Sequence, residues 1–322
     1  MIYKKKLKTI NIEYIMLKRI LEENKWRIDI EGRFRHEENQ YLNLIEDILK
    51  EGEMIEGRNG YVKMICGSSM HFDLNKNKIP ILTTKKTAWK TCLKELLWFI
   101  SGSTDNSKLK DQNVKIWNGN ASKEFLENQG LKYNEDDLGP IYGHQWRHFN
   151  APYIDCKKNY KESGVDQLSK IINMLKDPKE RKSRRIILSA WNPCQLEEMA
   201  LPPCHVLVQF IVTNENKLSA ILYQRSGDVG LGVPFNIASY AFLTHLLAMH
   251  CDLEALELIY HLGHCHIYDN HLDEIKKHLE RIPYEFPTIE ITKKNEIENY
   301  LIEDFKINNY ISHESILMKM RQ

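Results

Sequence analysis

Between Arg184 and His250 the chain carries three short apolar runs rich in Ile, Val, Leu and aromatics, at 185–191, 205–213 and 218–225. A near-continuous apolar stretch, Phe235–His250, follows directly. Runs of that length and composition read as strands. The stretch after Pro234 reads as a buried helix with proline in its first turn. Further upstream, Tyr41, Leu42, Ile45, Ile48 and Leu49 recur at helical spacing, as do Leu93, Leu96, Leu97 and Ile100 around Glu95. Strands and helices mix without regular βαβ alternation, so the expected class is α+β. No internal repeat and no Gly/Ser/Pro linker marks a second unit. The expected organisation is a weakly ordered extension at 1–38, within which 12–21 has irregular helical spacing, and a single domain at 39–322. The stretch 305–320 is polar and irregular, like a tail that must dock to become ordered.

Charge narrows the function classes. Lys and Arg total 45 against 44 Asp and Glu, for a net charge of +1. That balance gives no general electrostatic claim on nucleic acid or an anionic membrane. No apolar run reaches the roughly 18 residues of a membrane span, and the basic N-terminus lacks the apolar core of a signal peptide. The 7 cysteines are odd in number, scattered and without a CxxC pair, which points to free thiols in a reducing compartment.

Several residues stand out chemically. Cys204, in Leu201-Pro202-Pro203-Cys204-His205, is held at a strand edge by two prolines; a nucleophilic thiol needs nearby Arg or His⁺, and otherwise this is a structural cysteine. Arg184 and Arg185 run straight into an apolar strand, and Arg225 with Ser226 closes another; guanidinium forks and a hydroxyl suit a phosphate dianion. The Gly-rich stretch from Asp228 to Asn236 lets a ligand approach the backbone, with Asn236 in the first helical turn as a pyrimidine reader or a cap. His264 and His266 share a strand face. No second ligand cluster at zinc spacing accompanies them, so hydroxyl recognition by His266 and Tyr268 is the better reading and no metal is expected. Glu95 has apolar flanks that would bury it, raise its pKa and suit it to proton transfer.

Taken in order, the strings TTKK (83–86), ELLWFISGST (95–104), DLGPIYGHQWRHF (137–149), RRIILSAWNP (184–193), ALPPCH (200–205), LYQRSGDVGLGVPFNIASY (222–240), HIY (266–268) and EDF (303–305) resemble thymidylate synthase over about residues 40–320. The GDVGLG wording is similar to the eukaryotic and viral branch. The resemblance implies a mixed sheet packed with helices, one sheet face lying at a homodimer interface. It implies reductive methylation of dUMP to dTMP with 5,10-methylenetetrahydrofolate, through a covalent bond from Cys204 to C6. Glu95 and Tyr142 would manage protons. Arg58, Arg184, Arg185, Arg225 and Ser226 would hold the phosphate, Arg225 also favouring the thiolate, with Arg184 and Arg185 donated by the other subunit. Gly227, Asp228 and Asn236 would meet the nucleotide, Asn236 reading uracil, and His266 and Tyr268 the ribose 3′-hydroxyl. Asp228, Trp117, Asn120, Lys85 and Arg321 in the tail would serve the folate. The implied location is cytoplasmic, with nuclear access left open.

The sequence departs from the family pattern in places. Arg58-Asn59-Gly60-Tyr61-Val62-Lys63 replaces Arg-Thr-Gly-Thr-Gly-Thr, and the stretch before Met70 is about one residue short. Asn118 and His264 stand where aspartates are usual. The loop between Pro178 and Arg184 is longer, and the chain ends Arg321-Gln322 rather than in a small apolar pair. Two alternatives follow. A pyrimidine hydroxymethylase of the same fold would add water instead of hydride; its cytosine-specific type would carry Asp at Asn236, so Asn236 argues for uracil. A weakened homologue acting as a binding protein, for instance on RNA, is motivated by the altered 59–63 segment and opposed by the balanced charge.

Overall fold

The structure, a computed structural model, describes residues 36–57 and 59–321. The 12–21 stretch, nearly all of the expected extension and the phosphate role expected of Arg58 lie outside the described residues. In chain order the elements are α1 (Asn39–Glu51), β1 (Glu53–Gly57), β2 (Gly60–Asp73), α2 (Trp89–Ile100), α3 (Ser107–Asp111), α4 (Lys123–Asn128), α5 (Tyr142–His148), α6 (Gln167–Lys176), β3 (Ile187–Ser189), β4 (His205–Val212), β5 (Lys217–Asp228), α7 (Gly232–His250), β6 (Glu254–Tyr268), α8 (Leu272–Leu279), β7 (Thr288–Ile291) and β8 (Phe305–Asn308).

The main sheet runs β1-β2-β6-β5-β4-β3. Only β5 and β6 pair in parallel, because α7 carries the chain back across the sheet between them. The sheet is therefore mixed and the class α+β. Along β5 and β6 the side chains alternate: Leu218, Ala220 and Leu222, with Leu258, Tyr260 and Leu262, are buried on the face that meets α7. α7 is apolar on nearly every side because it is covered on nearly every side. The sheet lies on one flank and α2 on another, where Trp89 and Phe242 bring their rings to 6.2 Å. Each fully buried side chain here, Phe242 and Leu246 among them, contributes about 1.5–3 kcal/mol relative to exposure.

The opposite sheet face is open. Ile187, Ile211 and Tyr223, which share it by register, are 41%, 41% and 44% exposed.

All three expected strands form, the first only as Ile187–Ser189. The long strands β2 and β6 are the main addition. β2 hides its alternation behind Gly67, which takes φ +78, and the two serines that follow. The start of the expected tail is also regular, since β8 pairs with β7; beyond it the chain docks as expected, His313 N donating to Thr83 O at 2.7 Å and Tyr310 Oη to Leu82 O at 2.8 Å.

Glu38, counted with the extension from sequence, is fully buried and belongs to the folded body. Its carboxylate accepts from the backbone N–H and hydroxyl of both Thr83 and Thr84, at 2.5–3.0 Å. That clamp sets the turn that presents Lys85.

Candidate active site

The Pro-Pro-Cys segment enters β4 at its first residue, and Arg225 on neighbouring β5 fastens it. The guanidinium donates from Nε to Pro203 O at 2.8 Å and from Nη2 to Pro202 O at 2.9 Å. The Arg225 backbone N–H donates to Cys204 O at 2.9 Å. Prolines carry no N–H of their own, so their carbonyls are the groups left to anchor the segment. Nη2 of Arg225 then lies 3.9 Å from the Cys204 sulfur, a cation beside a half-buried thiol. The Arg225 guanidinium also sits over the Trp191 ring at 5.6 Å. Its Nη1 has no protein partner among the described residues and can take an anion.

Tyr142, the first residue of α5, fixes the nucleophile from the other side. Its hydroxyl oxygen accepts from the N–H groups of Cys204 and His205, at 2.8 and 3.3 Å. Both bonds use oxygen lone pairs, so the phenol proton stays available. Next to Tyr142, with ring centroids 6.3 Å apart, stands Trp117. Its indole N–H donates to Glu95 Oε1 at 2.7 Å. Glu95, Trp117, Tyr142, Cys204 and Arg225 are thus one connected group, although they come from α2, a turn, α5, the segment just before β4 and β5.

Burial pushes the Glu95 carboxyl up from its ordinary 4.5 to about 7, while the Trp117 hydrogen bond pulls the other way. The folded chain therefore holds this proton more tightly than the unfolded one. The stability that Glu95 contributes is complete below about pH 4.5 and is lost as pH rises through about 7. Glu95→Gln removes that dependence. Thermal melts of both proteins at pH 5 and pH 8 are expected to show the variant gaining on the wild type by about 2–3 kcal/mol across that interval. Parallel pH dependences would mean that Glu95 is not desolvated as described.

Asn236 is oriented by a chain of constraints. Gln224, buried, donates from Nε2 to the Ser226 carbonyl at 2.8 Å and accepts from Tyr260 Oη at 2.6 Å. A carbonyl can only accept, so the Gln224 amide has one possible orientation. Its Nε2 also meets Asn236 Oδ1 at 3.0 Å, which leaves Asn236 Nδ2 as a donor facing away. His205, its ring held down to about 4 by burial, lies beside Asn236. Gln224 was not singled out from sequence; the polar residue at an inward strand position, between Leu222 and Ser226, was the available signal.

The other expected residues fall around this group. Gly227 is buried where a Cβ would come within 2.8 Å of Leu262 and Val233 side-chain carbons. Asp228 Oδ1 accepts from the N–H groups of Gly230 and Leu231 at 2.9 and 3.3 Å, and burial raises its pKa against Lys85 and His271. Lys85 Nζ donates to Gly230 O at 2.5 Å, with its pKa lowered to about 8 by burial. His266 and Tyr268 stand on β6 with ring centroids 5.3 Å apart. Asn120 is half-buried in the turn after Trp117.

Arg321 and the Arg184–Arg185 pair stand apart from the Cys204 group. Arg321 was expected to face the folate, and its guanidinium is instead engaged by the chain itself, donating to Asn59 O at 2.9 Å, Asn270 Oδ1 at 3.1 Å and Asp269 Oδ1 at 2.5 Å. It shapes the site by fastening the tail. Arg184 and Arg185 are exposed beside the sheet edge, and neither guanidinium has a partner among the described residues. Within one chain nothing brings them to the Cys204 group. Among the described residues no group of three or more His, Cys, Asp or Glu could hold a metal, and no helix is long and apolar enough to cross a membrane.

Comparison with known proteins identifies the arrangement. The sequence profile of the thymidylate synthase family matches residues 39–322. The chain belongs to the thymidylate synthase family. It is 50% identical over 287 residues to the bifunctional dihydrofolate reductase-thymidylate synthase of Paramecium tetraurelia, a match covering 88% of this chain and 61% of that protein. With the bifunctional dihydrofolate reductase-thymidylate synthase of Zea mays it shares 48% over 289 residues, 89% of this chain and 55% of the relative. With the probable thymidylate synthase of Schizosaccharomyces pombe it shares 46% over 298 residues, 88% of this chain and 47% of the relative. The chain thus spans about half to three fifths of the length of these relatives. The thymidylate synthase match begins at Asn39, the first residue of α1.

Proposed function

We propose that this chain converts dUMP to dTMP by reductive methylation, with Cys204 as the nucleophile and 5,10-methylenetetrahydrofolate as co-substrate. The observation that carries the reading is the Arg225 guanidinium, which anchors both proline carbonyls, stands beside the Cys204 sulfur and keeps one nitrogen free for an anion. The Cys204 thiolate would add to C6 of the uracil, making C5 nucleophilic. Methylenetetrahydrofolate would supply the one-carbon unit and the hydride, leaving as dihydrofolate. Glu95, poised near neutrality, would take and return protons at the base. Tyr142 would hold the nucleophile's backbone and offer its phenol proton. Asn236 Nδ2 would donate to O4 of uracil, and His266 and Tyr268 would meet the 3′-hydroxyl. Arg225 and Ser226 would hold the phosphate. Lys85, Asp228, Trp117 and Asn120 would line the folate side, with the tail held closed by Arg321.

The deciding assay is dTMP formation from dUMP and methylenetetrahydrofolate, followed as dihydrofolate absorbance. A product carrying hydroxymethyl, without dihydrofolate, would make the chain a hydroxymethylase, and no turnover would remove the reading. A reducing compartment such as the cytoplasm is part of the same proposal, supported by there being no disulfide among the described residues.

The same reading makes the enzyme a homodimer in which Arg184 and Arg185 reach the partner's phosphate. The open apolar face at Ile187, Ile211 and Tyr223 supports it, since a twofold interface uses the same patch on both subunits. Mixing Cys204→Ser subunits with Arg184→Ala/Arg185→Ala subunits gives heterodimers in which one pocket lacks both defects. Activity is expected to return after subunit exchange, up to about half the native rate per heterodimer if the two sites act independently. Demonstrated heterodimers without recovery would take the arginine pair out of the partner's pocket.

A further inference from the structure

Two of the places where the sequence departs from the family pattern, the 59–63 segment and the chain's end, meet in space. The Arg321 guanidinium donates from Nη1 to Asn59 O at 2.9 Å, from Nε to Asn270 Oδ1 at 3.1 Å and from Nη2 to Asp269 Oδ1 at 2.5 Å. A Cβ on Gly60 would collide with Nη1, so a bare glycine is what admits it. The next residue of the turn takes the tail as well. His271 Nε2 lies 2.8 Å from Lys319 O, and a carbonyl can only accept, so the ring donates. Three consecutive side chains, Asp269, Asn270 and His271, thus hold the tail. The Arg321–Asp269 pair is partly exposed, at 28% and 39% of the side chains, and a single ion pair of that kind contributes little. Its value is directional, because a planar fork bonded to three acceptors on two segments has one orientation. In that orientation the guanidinium lies over the Tyr268 ring, 5.6 Å from its centroid. The rings of His266 and His271 meet Tyr268 nearly at right angles, with centroids at 5.3 and 5.7 Å.

We propose that Arg321 is a positioning residue for the nucleotide sugar: held by Asn59 and the 269–271 turn, it fixes the Tyr268 ring so that Tyr268 meets the 3′-hydroxyl. The inference rests on the reading above that Tyr268 binds that hydroxyl. The two histidines hold the ring from its own strand and from the turn that follows it. Arg321 comes from the far end of the chain, so the sugar site is complete only with the tail in place. A small apolar residue at 321 could make neither the fork nor the ring contact.

Calorimetric binding of dUMP and of 2′,3′-dideoxyuridine 5′-monophosphate to the full chain tests this, because the two ligands differ only at the 3′-hydroxyl. Wild type is expected to prefer dUMP by about tenfold, the worth of one good hydrogen bond. Tyr268→Phe, which deletes only the hydroxyl, should remove most of that preference. Arg321→Ala should cut it by about threefold or more, with the affinity for the dideoxy ligand little changed. Asp269→Ala reaches the same guanidinium from another segment and should cut the preference in the same direction. Asp269→Asn, whose Oδ1 can still accept from Nη2, should restore it. Added to Arg321→Ala, Asp269→Ala should cost nothing more, because it acts only through the arginine. If Arg321→Ala weakens both ligands equally, or keeps the wild-type preference while Tyr268→Phe loses it, Arg321 has no role through Tyr268. Additive losses in the double variant would likewise overturn the proposal. If Tyr268→Phe itself keeps the preference, the 3′-hydroxyl is read by other groups, and the reading of Tyr268 falls with the inference.

Discussion

Cys204→Ser is expected to reduce dTMP formation on the order of 10⁴-fold or more and to abolish covalent trapping of 5-fluoro-dUMP with the folate. A serine hydroxyl is almost never ionised at neutral pH, so the Arg225 guanidinium that stands beside the sulfur has no anionic nucleophile to stabilise. The architecture should survive the change. The two proline carbonyls, the Cys204 carbonyl and the Cys204 N–H make their bonds to Arg225 and Tyr142 through the backbone, and none of these involves the sulfur. Binding of dUMP should therefore fall by only a few-fold while turnover is lost, a separation that marks a chemical rather than a folding defect. Cys194→Ser is the matched control. That cysteine is exposed, and its backbone N–H is held by Asn192 Oδ1 at 3.2 Å, so trapping should persist. A trapped complex in the Cys204 variant would move the nucleophile to another residue.

The second large effect is expected from Asn236→Asp, which should shift the dCMP-to-dUMP preference toward dCMP by on the order of 10²-fold. The direction follows from the orientation of the amide. Asn236 Oδ1 already accepts from Gln224, and an aspartate oxygen can keep that bond. The change falls on the other atom, where a donating Nδ2 becomes an accepting oxygen. Opposite O4 of uracil that oxygen faces a second acceptor with nothing between them. Opposite the exocyclic amine of cytosine it finds a donor. Both ligands respond, in opposite directions, so their ratio moves further than either affinity. The check is kcat/KM for each nucleotide in both proteins. An unchanged ratio would mean that base identity is read by other groups. Gln224→Glu offers a useful companion, because it removes the donor that turns Asn236 and should erode the uracil preference without touching the base directly.

Much of the candidate site was legible in order along the chain because its polar residues fall in short, unusual strings. Pro-Pro-Cys-His announces a thiol held by its backbone, and Tyr-Gln-Arg-Ser-Gly-Asp announces a strand ending in donors. Glu95 could be read as buried because Leu93, Leu96 and Ile100 surround it at helical spacing, and the structure puts it at 8% exposure. What could not be read is which atom of each residue faces the site. The Asn236 amide is turned by Gln224, and Gln224 by the Ser226 carbonyl; a sequence contains both amides but neither orientation. Arg321 shows the same limit. Its type suits an anionic ligand, yet its three bonds to Asn59, Asp269 and Asn270 are made by segments far apart in the chain.

By itself, then, the sequence determined the α+β class, the buried helix after Pro234 and the family, because each depends on local pattern or on which residue types are present. The tertiary structure alone decided the long strands β2 and β6, since β2 interrupts its alternation at Gly67 and is held by pairing with β6 rather than by its own propensity. It also decided that Glu38 clamps the Thr83–Thr84 turn, that Trp117 bonds Glu95, and that His264 abuts His266. Each of these is a hydrogen bond whose worth depends on desolvation, and burial is a property of everything packed around a group rather than of its neighbours in sequence.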